Sequence, residues 1–280
     1  MADFHHNGKL GKNKRVLLAC LLINLFGFAW LLPKQTTAKP LPSRLFLQNS
    51  SLQTPVGSTI QRIRERGNTL IAGVKYDFDP FGYIDSRGKL VGFDVDLVQA
   101  IADQWGVKVE FVPVTSSARL QLLATGVVDL VAASMTHTMQ REATIDFSQT
   151  YFLDRQRLLV RANTTFTTLS DLKGKTIAAI QGSTSLDNIR EVVAKENLKI
   201  SILPFQEYPP ALAALKAGQV DALTTDSAFL AQAAKKNPDL HVIGEPFSLE
   251  PYGIGVATND SCFRDLVNYT LELLKSNGKY

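Results

Sequence analysis

Cysteine is almost missing from this chain: Cys20 and Cys262 are the only two among 280 residues. Cys20 lies in an apolar N-terminal run of the kind that export removes, which leaves a single thiol and no intrachain disulfide. Stability is therefore expected to come from packing. Histidine is as scarce, and His5, His6, His137 and His241 are too few and too scattered for a zinc site. Neither a metal nor another cofactor is expected. Catalytic signatures are lacking as well: there is no GxSxG, HExxH, Walker loop or GxGxxG, and no Cys/His pair at a supporting spacing. The inventory is that of a binder.

An excess of one charge is also lacking where it would matter. The formal net charge is +4, but residues 1–38 hold five basic side chains and one acidic, so the remainder is neutral. No Lys/Arg cluster with interleaved aromatics occurs in it, which argues against nucleic-acid binding. No second long apolar run follows Leu32, so these residues do not encode a channel or a histidine kinase.

What is present begins with Lys9, Lys12, Lys14 and Arg15 ahead of VLLACLLINLFGFAWLL at 16–32. Thr36, Thr37 and Ala38 offer small residues for cleavage, so residues 1–38 are expected to be a secretory signal, with an uncleaved anchor as the alternative. The apolar run continues well past Cys20, which argues against lipidation. The expected location is periplasmic or otherwise extracytoplasmic. Residues 39–58, rich in Pro, Ser, Thr and Gln, read as a flexible linker. Folding is expected to start near Thr59.

From there, strand-like TLIAGV, VKVEFVPV, VDLVAA, TIAAI, ISILPF, VDALTT and LHVIG alternate with helix-like FDVDLVQAIADQWG, ARLQLLATG, SLDNIREVVAKEN and PALAALKAG. This alternation predicts an α/β fold. One pattern is written twice. QLLATGVVDLVAAS (121–134) and AALKAGQVDALTTD (213–226) share Leu123/Leu215, Gly126/Gly218, Val128/Val220 and Asp129/Asp221 at a constant offset. The repeat suggests two similar open sheets, with Ser134 and Asp226 at corresponding strand ends, where open α/β sheets bind ligands. The plainer alternative is that LxxGxVD is a common way to end a helix and enter a strand.

Four places carry polar groups suited to a ligand. In SMTHTMQRE (134–142), hydroxyls stand beside Arg141, an arrangement that suits a carboxylate, although a surface arginine on a new helix would look the same. AIQGSTS (179–185) ends a strand and opens a helix, either as an anion site or as a plain cap by Ser183 or Ser185. Asp226 can pair with an ammonium or cap the SAFLAQAAKK helix. Lys75, with Phe78 and Phe81 close behind, reads either as the floor of a site or as a solvated lysine beside core rings.

Taken together, GKLVGFDVDLVQAIA (88–102), MTHTMQREATIDFSQTYF (135–152), DLKGKTIAAIQGSTS (171–185) and AALKAGQVDALTTDSAFL (213–230) resemble the family 3 extracellular solute-binding proteins, the amino-acid-binding components of ABC importers. The resemblance runs from about Thr69 to Ser276. It implies a periplasmic-binding-protein-like type II fold, with two α/β lobes joined by a two-strand hinge and the ligand in the cleft. Residues 59–160 and 246–280 would form the first lobe and 161–245 the second, with crossings near Leu159–Ala162 and Ile243–Phe247.

By the same resemblance, Arg141 would hold an α-carboxylate with help from Thr136 and Thr184, Asp226 would take the α-ammonium, and Ser134 and Ser183 would add polar contacts. Lys75, Arg119 and Tyr208 stand where members that bind glutamate and aspartate place groups for the distal carboxylate, beside Phe78. A count of Arg141, Arg119 and Lys75 against Asp226 points the same way. The expected function is capture of L-glutamate or L-aspartate and delivery to an ABC permease in the inner membrane, by a monomer that is not an enzyme.

The alternatives are a binder of neutral polar amino acids such as glutamine, a ligand-binding sensor subunit, or a dehydratase of cyclohexadienyl acids with Glu207 as its acid. Departures from the family pattern are Met139-Gln140 before Arg141, Ala118 before Arg119, and an end at LELLKSNGKY where the family continues with a final segment.

Overall fold

The computed structural model describes residues 57–280. The expected signal or anchor (1–38) and nearly all of the expected linker (39–58) lie outside the described residues. Helix α1 (Thr59–Glu65) opens the fold, capped by Ser58, whose hydroxyl accepts from Gln61 N. Strand β1 (Thr69–Val74) follows, with Leu70, Ala72 and Val74 buried on one face and Ile71 half-buried on the other. A small sheet, β2 (Asp77–Phe78), β3 (Gly82–Ile84) and β4 (Leu90–Val91), leads to α2 (Phe93–Trp105). Gly92 precedes α2 at φ 132°, where a Cβ would meet the Phe81 carbonyl oxygen at 2.3 Å, so only glycine fits.

Next come β5 (Lys108–Pro113), α3 (Arg119–Ala124), β6 (Leu130–Ala132), α4 (Met139–Glu142) and β7 (Asp146–Asp154). The chain then enters β8 (Gln156–Arg161), β9 (Thr176–Ile180), α5 (Thr184–Lys195), β10 (Ser201–Phe205), α6 (Tyr208–Lys216), β11 (Ala222–Asp226), α7 (Ser227–Lys236) and β12 (Leu240–Ile243). It finishes with β13 (Glu250–Val256) and α8 (Ser261–Ser276).

The strands form two five-stranded sheets of matching order, β5-β1-β6-β13-β7 and β10-β9-β11-β8-β12. In each sheet three strands run parallel, and the strand beside them, β13 or β8, is antiparallel. Helices α2 and α8 pack on the first sheet and α5, α6 and α7 on the second. These are the two lobes.

The chain passes between lobes twice, from β7 to β8 at Arg155 and from β12 to β13 across 244–249. The first comes earlier than Leu159–Ala162, because β8 pairs with β11 from Gln156 onward, so residues 156–160 belong to the second lobe. β7 and β8 are interrupted only at Arg155, and neither a glycine nor a proline marks the change.

The duplicated stretch folds the same way twice. Gly126 and Gly218 take left-handed φ of 72° and 75° and end their helices, with Val127 N bonded to Leu122 O and Gln219 N to Ala214 O. Asp129 then exchanges two bonds with Ile71, N–H to carbonyl at 2.8 Å and carboxylate to N–H at 2.9 Å. Asp221 makes the same pair with Thr176, at 2.8 Å and 2.9 Å. Each carboxylate clasps its strand to the parallel neighbour at a fixed register.

Candidate functional site

The parallel strands of both sheets end at one place. A narrow cavity there, partly open to solvent, is lined by Lys75, Phe78, Ser116, Arg119, Ala133 and Ser134 from the first lobe. Ser183, Thr184, Ser185, Tyr208 and Asp226 line it from the second. Every one of them lies at or just past the carboxyl end of a strand, where side chains and helix N-termini point outward together.

Burial and pairing differ among these groups. Lys75 is 1% exposed, and its ammonium lies 2.8 Å from Asp77 Oδ1 and 3.4 Å from Ser116 Oγ, over the Tyr208 ring. Burial lowers its pKa, and Asp77 opposes that shift. Arg119 is also buried. It donates to the carbonyls of Ala133 (2.6 Å) and Ser134 (3.4 Å), while its Nε has no partner among the described residues. Ser134 sits at φ 47°, an uncommon conformation for a residue with a side chain, held there because its N–H and hydroxyl both donate to Asp94 Oδ2 at 2.7 Å and 3.0 Å. Burial pushes the Asp94 carboxyl up to about 6.

Asp226 makes no capping bond to α7. It accepts the Tyr252 hydroxyl on Oδ2, and its buried Oδ1 has no partner among the described residues. Burial, then the neighbouring Glu250 carboxylate, pushes its pKa up to about 7. An under-satisfied buried carboxylate of this kind suits a cationic ligand group. Ser183 is occupied as the cap of α5, accepting Leu186 N at 3.3 Å and donating to Ile180 O at 2.7 Å. The first N–H groups of α5 remain free to meet an anion.

Thr136 and Arg141 stand outside the cavity wall. Arg141 donates to Thr136 O (2.7 Å) and, across the lobes, to Gly182 O (3.2 Å). Burial, reinforced by Arg119, lowers its pKa to about 9. Thr136 and Thr184 both donate to Glu250 Oε2, at 2.6 Å and 2.7 Å. A hydroxyl has one proton, so neither is left to donate to a carboxylate as expected. Glu207 lies off the cavity wall and accepts the Tyr76 hydroxyl at 2.8 Å.

The lobes meet along this site. Tyr208 N donates to Asp77 Oδ2 (3.1 Å), and Phe78 stacks on Phe229 at 4.8 Å and 6°. Farther out, Asp79 takes Lys236 and Gln232, and Ser117 donates to Gln206 at 3.3 Å. A Cβ on Gly182 would come within 2.7 Å of Ser117 Cα.

Sequence reasoning missed Asp77, Glu250, Tyr252 and Gln156. Asp77 had a signal, since it follows Lys75 by two residues and so shares its side of an extended chain. Charge bookkeeping changes with it: Asp77 pairs with Lys75, a cation that the count against Asp226 alone had left without a partner.

Residues 70–280 match the model of the bacterial extracellular solute-binding proteins, family 3. The chain is similar to a glutamine-binding protein of Geobacillus stearothermophilus, 43% identical over 213 residues that cover 74% of this chain and 79% of that one. It is also similar to the glutamate/aspartate import solute-binding protein of Salmonella typhimurium, 29% identical over 233 residues, 80% of this chain and 77% of that one. An ancestral arginine-binding protein, solved bound to arginine and bound to glutamine, aligns with a TM-score of 0.71 and 40% identity over 75% of this chain and 93% of the other.

Proposed function

Since the chain belongs to the bacterial extracellular solute-binding proteins of family 3, whose members bind amino acids and hand them to ABC permeases, we propose that it captures a polar amino acid of zero net charge, with L-glutamine as the first choice. The observation that carries this is the Lys75–Asp77 ion pair at 2.8 Å. Before a ligand enters, Lys75 already has a carboxylate partner in Asp77. A zwitterion adds no net charge, whereas an acidic or a basic ligand would bring an unbalanced charge into a buried place.

In this reading the α-carboxylate sits at the first turn of α5, beside Arg141, which is held on the Gly182 carbonyl one residue before the cap. The α-ammonium meets Asp226 Oδ1. The side chain runs toward Phe78 and Tyr208, where its amide oxygen accepts from Arg119 Nε and Lys75. The 43% identity to a glutamine-binding relative supports the choice.

The second reading, an acidic amino acid, is favoured by Arg119 itself, whose unpartnered Nε would serve a distal carboxylate equally well. Among the described residues no helix is long and apolar enough to cross a membrane, and extracytoplasmic capture follows from the family.

Isothermal titration of the protein, unfolded and refolded to strip bound ligand, with L-glutamine, L-glutamate, L-aspartate and L-arginine tests this. Tightest binding of glutamine supports it. Binding of the acidic pair alone replaces it with the second reading, and absence of binding by folded protein overturns both.

A further inference from the structure

We propose that Glu250 is a positioning residue for closure of the cleft: its buried carboxylate ties the first turn of α5 to Thr136 and to the strands that pass between the lobes. This rests on the reading above, in which that turn faces the amino acid.

Glu250 is the first residue of β13, the second strand to change sheets, and is 1% exposed. One oxygen, Oε2, accepts Thr136 from the first lobe and Thr184 from the second, and those two hydroxyls lie 3.2 Å apart. The other oxygen accepts Asn188 Nδ2 at 3.0 Å, one turn along α5. Gln156, the first residue of the other passing strand, completes the arrangement. Its amide donates to Thr184 and Ser185, each at 3.1 Å, and its oxygen takes Asn188 at 2.9 Å. Both passages therefore hold the same helical turn through buried polar side chains.

The consequence is geometric. Thr136 moves with the first lobe, to which it is bridged at Tyr252, while Thr184 and Asn188 move with the second. Their bonds to a single carboxylate exist together only when the lobes are closed. Charge-assisted bonds are the strong kind, and losing the acceptor would leave the buried Thr136 and the half-buried Thr184 hydroxyls to find others. Glu250 touches no ligand in this scheme. It sets where Thr184 and the free N–H groups of α5 stand, and its charge acts on Asp226 beside it.

Around Asp226 the charged or titratable groups are Glu250, Asp154, Tyr208, Tyr252, Arg119 and Arg141. Glu250 and Asp154 raise its pKa, and Glu250 is the larger of the two. Replacing Glu250 by glutamine therefore moves the pH profile of binding downward, which loss of packing alone would not do.

The test compares wild-type full-length protein with Glu250→Gln and Asn188→Ala. Three quantities are read: the equilibrium and dissociation kinetics of L-glutamine, the pH midpoint of binding, and amide hydrogen exchange of the ligand-free protein in 135–138 and 184–188. The expected result for Glu250→Gln is affinity at least tenfold weaker, mostly through faster dissociation, with a lower pH midpoint and faster exchange in both segments. Asn188→Ala, which leaves the core alone, is expected to move affinity and exchange the same way by about threefold, and it carries the test if the glutamine variant does not fold.

Affinity within twofold of wild type with unchanged exchange, in a folded Glu250→Gln protein or otherwise in Asn188→Ala, overturns the proposal. If the wild type binds no amino acid, the functional reading falls by itself, and the exchange comparison still decides the role of Glu250.

Discussion

The ammonium of Lys75 lies 2.8 Å from Oδ1 of Asp77, with both side chains 1% exposed. Asp77 also accepts Tyr208 N from the opposite lobe, so one carboxylate both pairs with Lys75 and joins the two lobes.

Replacing it by asparagine keeps an acceptor for Tyr208 and removes the charge. For Asp77→Asn we expect the ratio of glutamate to glutamine affinity to rise by about tenfold, because the site then carries an uncompensated cation. The same change should destabilise the ligand-free protein by about 3 kcal/mol, the usual cost of orphaning one member of a buried pair. Competitive titration and thermal unfolding measure the two effects, and an unchanged ratio would remove the charge argument for a neutral ligand.

Asp226 makes binding depend on pH. Its carboxyl titrates near 7, and only the ionised form pairs with an ammonium. Affinity is therefore retained above pH 7 and lost as the pH falls through it, by about tenfold between pH 8 and pH 6 for a single group.

Stability of the ligand-free protein runs the other way. A carboxyl raised above its ordinary value of 3.8 contributes stability that is fully present below about pH 4, falls progressively as the pH rises, and is lost once the pH has passed through 7. Asp226→Asn should accordingly abolish binding and stabilise the ligand-free protein at pH 8 by on the order of 2 kcal/mol. Denaturant titrations at pH 4 and pH 8 would show little gain at the lower pH and the full gain at the higher.

Gly182 sets how closely the lobes approach. A Cβ there would lie 2.7 Å from Ser117 Cα and 2.8 Å from Ser116 O, and its φ of 76° already favours glycine. Gly182→Ala is expected to leave both lobes folded and to weaken binding by at least tenfold. X-ray scattering in saturating ligand would show a larger radius of gyration than for the wild type.

At the outer rim, Asp79 holds Lys236 and Gln232 across the cleft. Lys236 is half exposed, so the contribution is small and sensitive to salt. Asp79→Ala should speed ligand release about two- to threefold at low ionic strength, and the difference should vanish near 1 M salt in a stopped-flow measurement.

Local features of the fold were legible in the sequence. Gly126, Gly218, Asp129 and Asp221 announce a helix end and a strand start within a few residues, and the structure uses them so. The strand ends that line the cavity follow from the same pattern. Features made by distant residues were not legible. Nothing near Glu250 in sequence reveals that Thr136 and Thr184 spend their protons on it, and Arg155 carries no mark of the change of sheet. Asp226 could be read as a cap or as a ligand group until its side chain was seen to turn away from α7.

The paired clasps of Asp129 on Ile71 and Asp221 on Thr176 also act as rulers. In each lobe the polar residue at the cavity stands five positions after the clasp, Ser134 after Asp129 and Asp226 after Asp221. Strand side chains alternate between faces, so deleting one residue inside either interval would turn the cavity group to the wrong side while the clasp stayed shut. Substitutions along these intervals can retune what the cleft accepts, but a change of length there removes one wall of it.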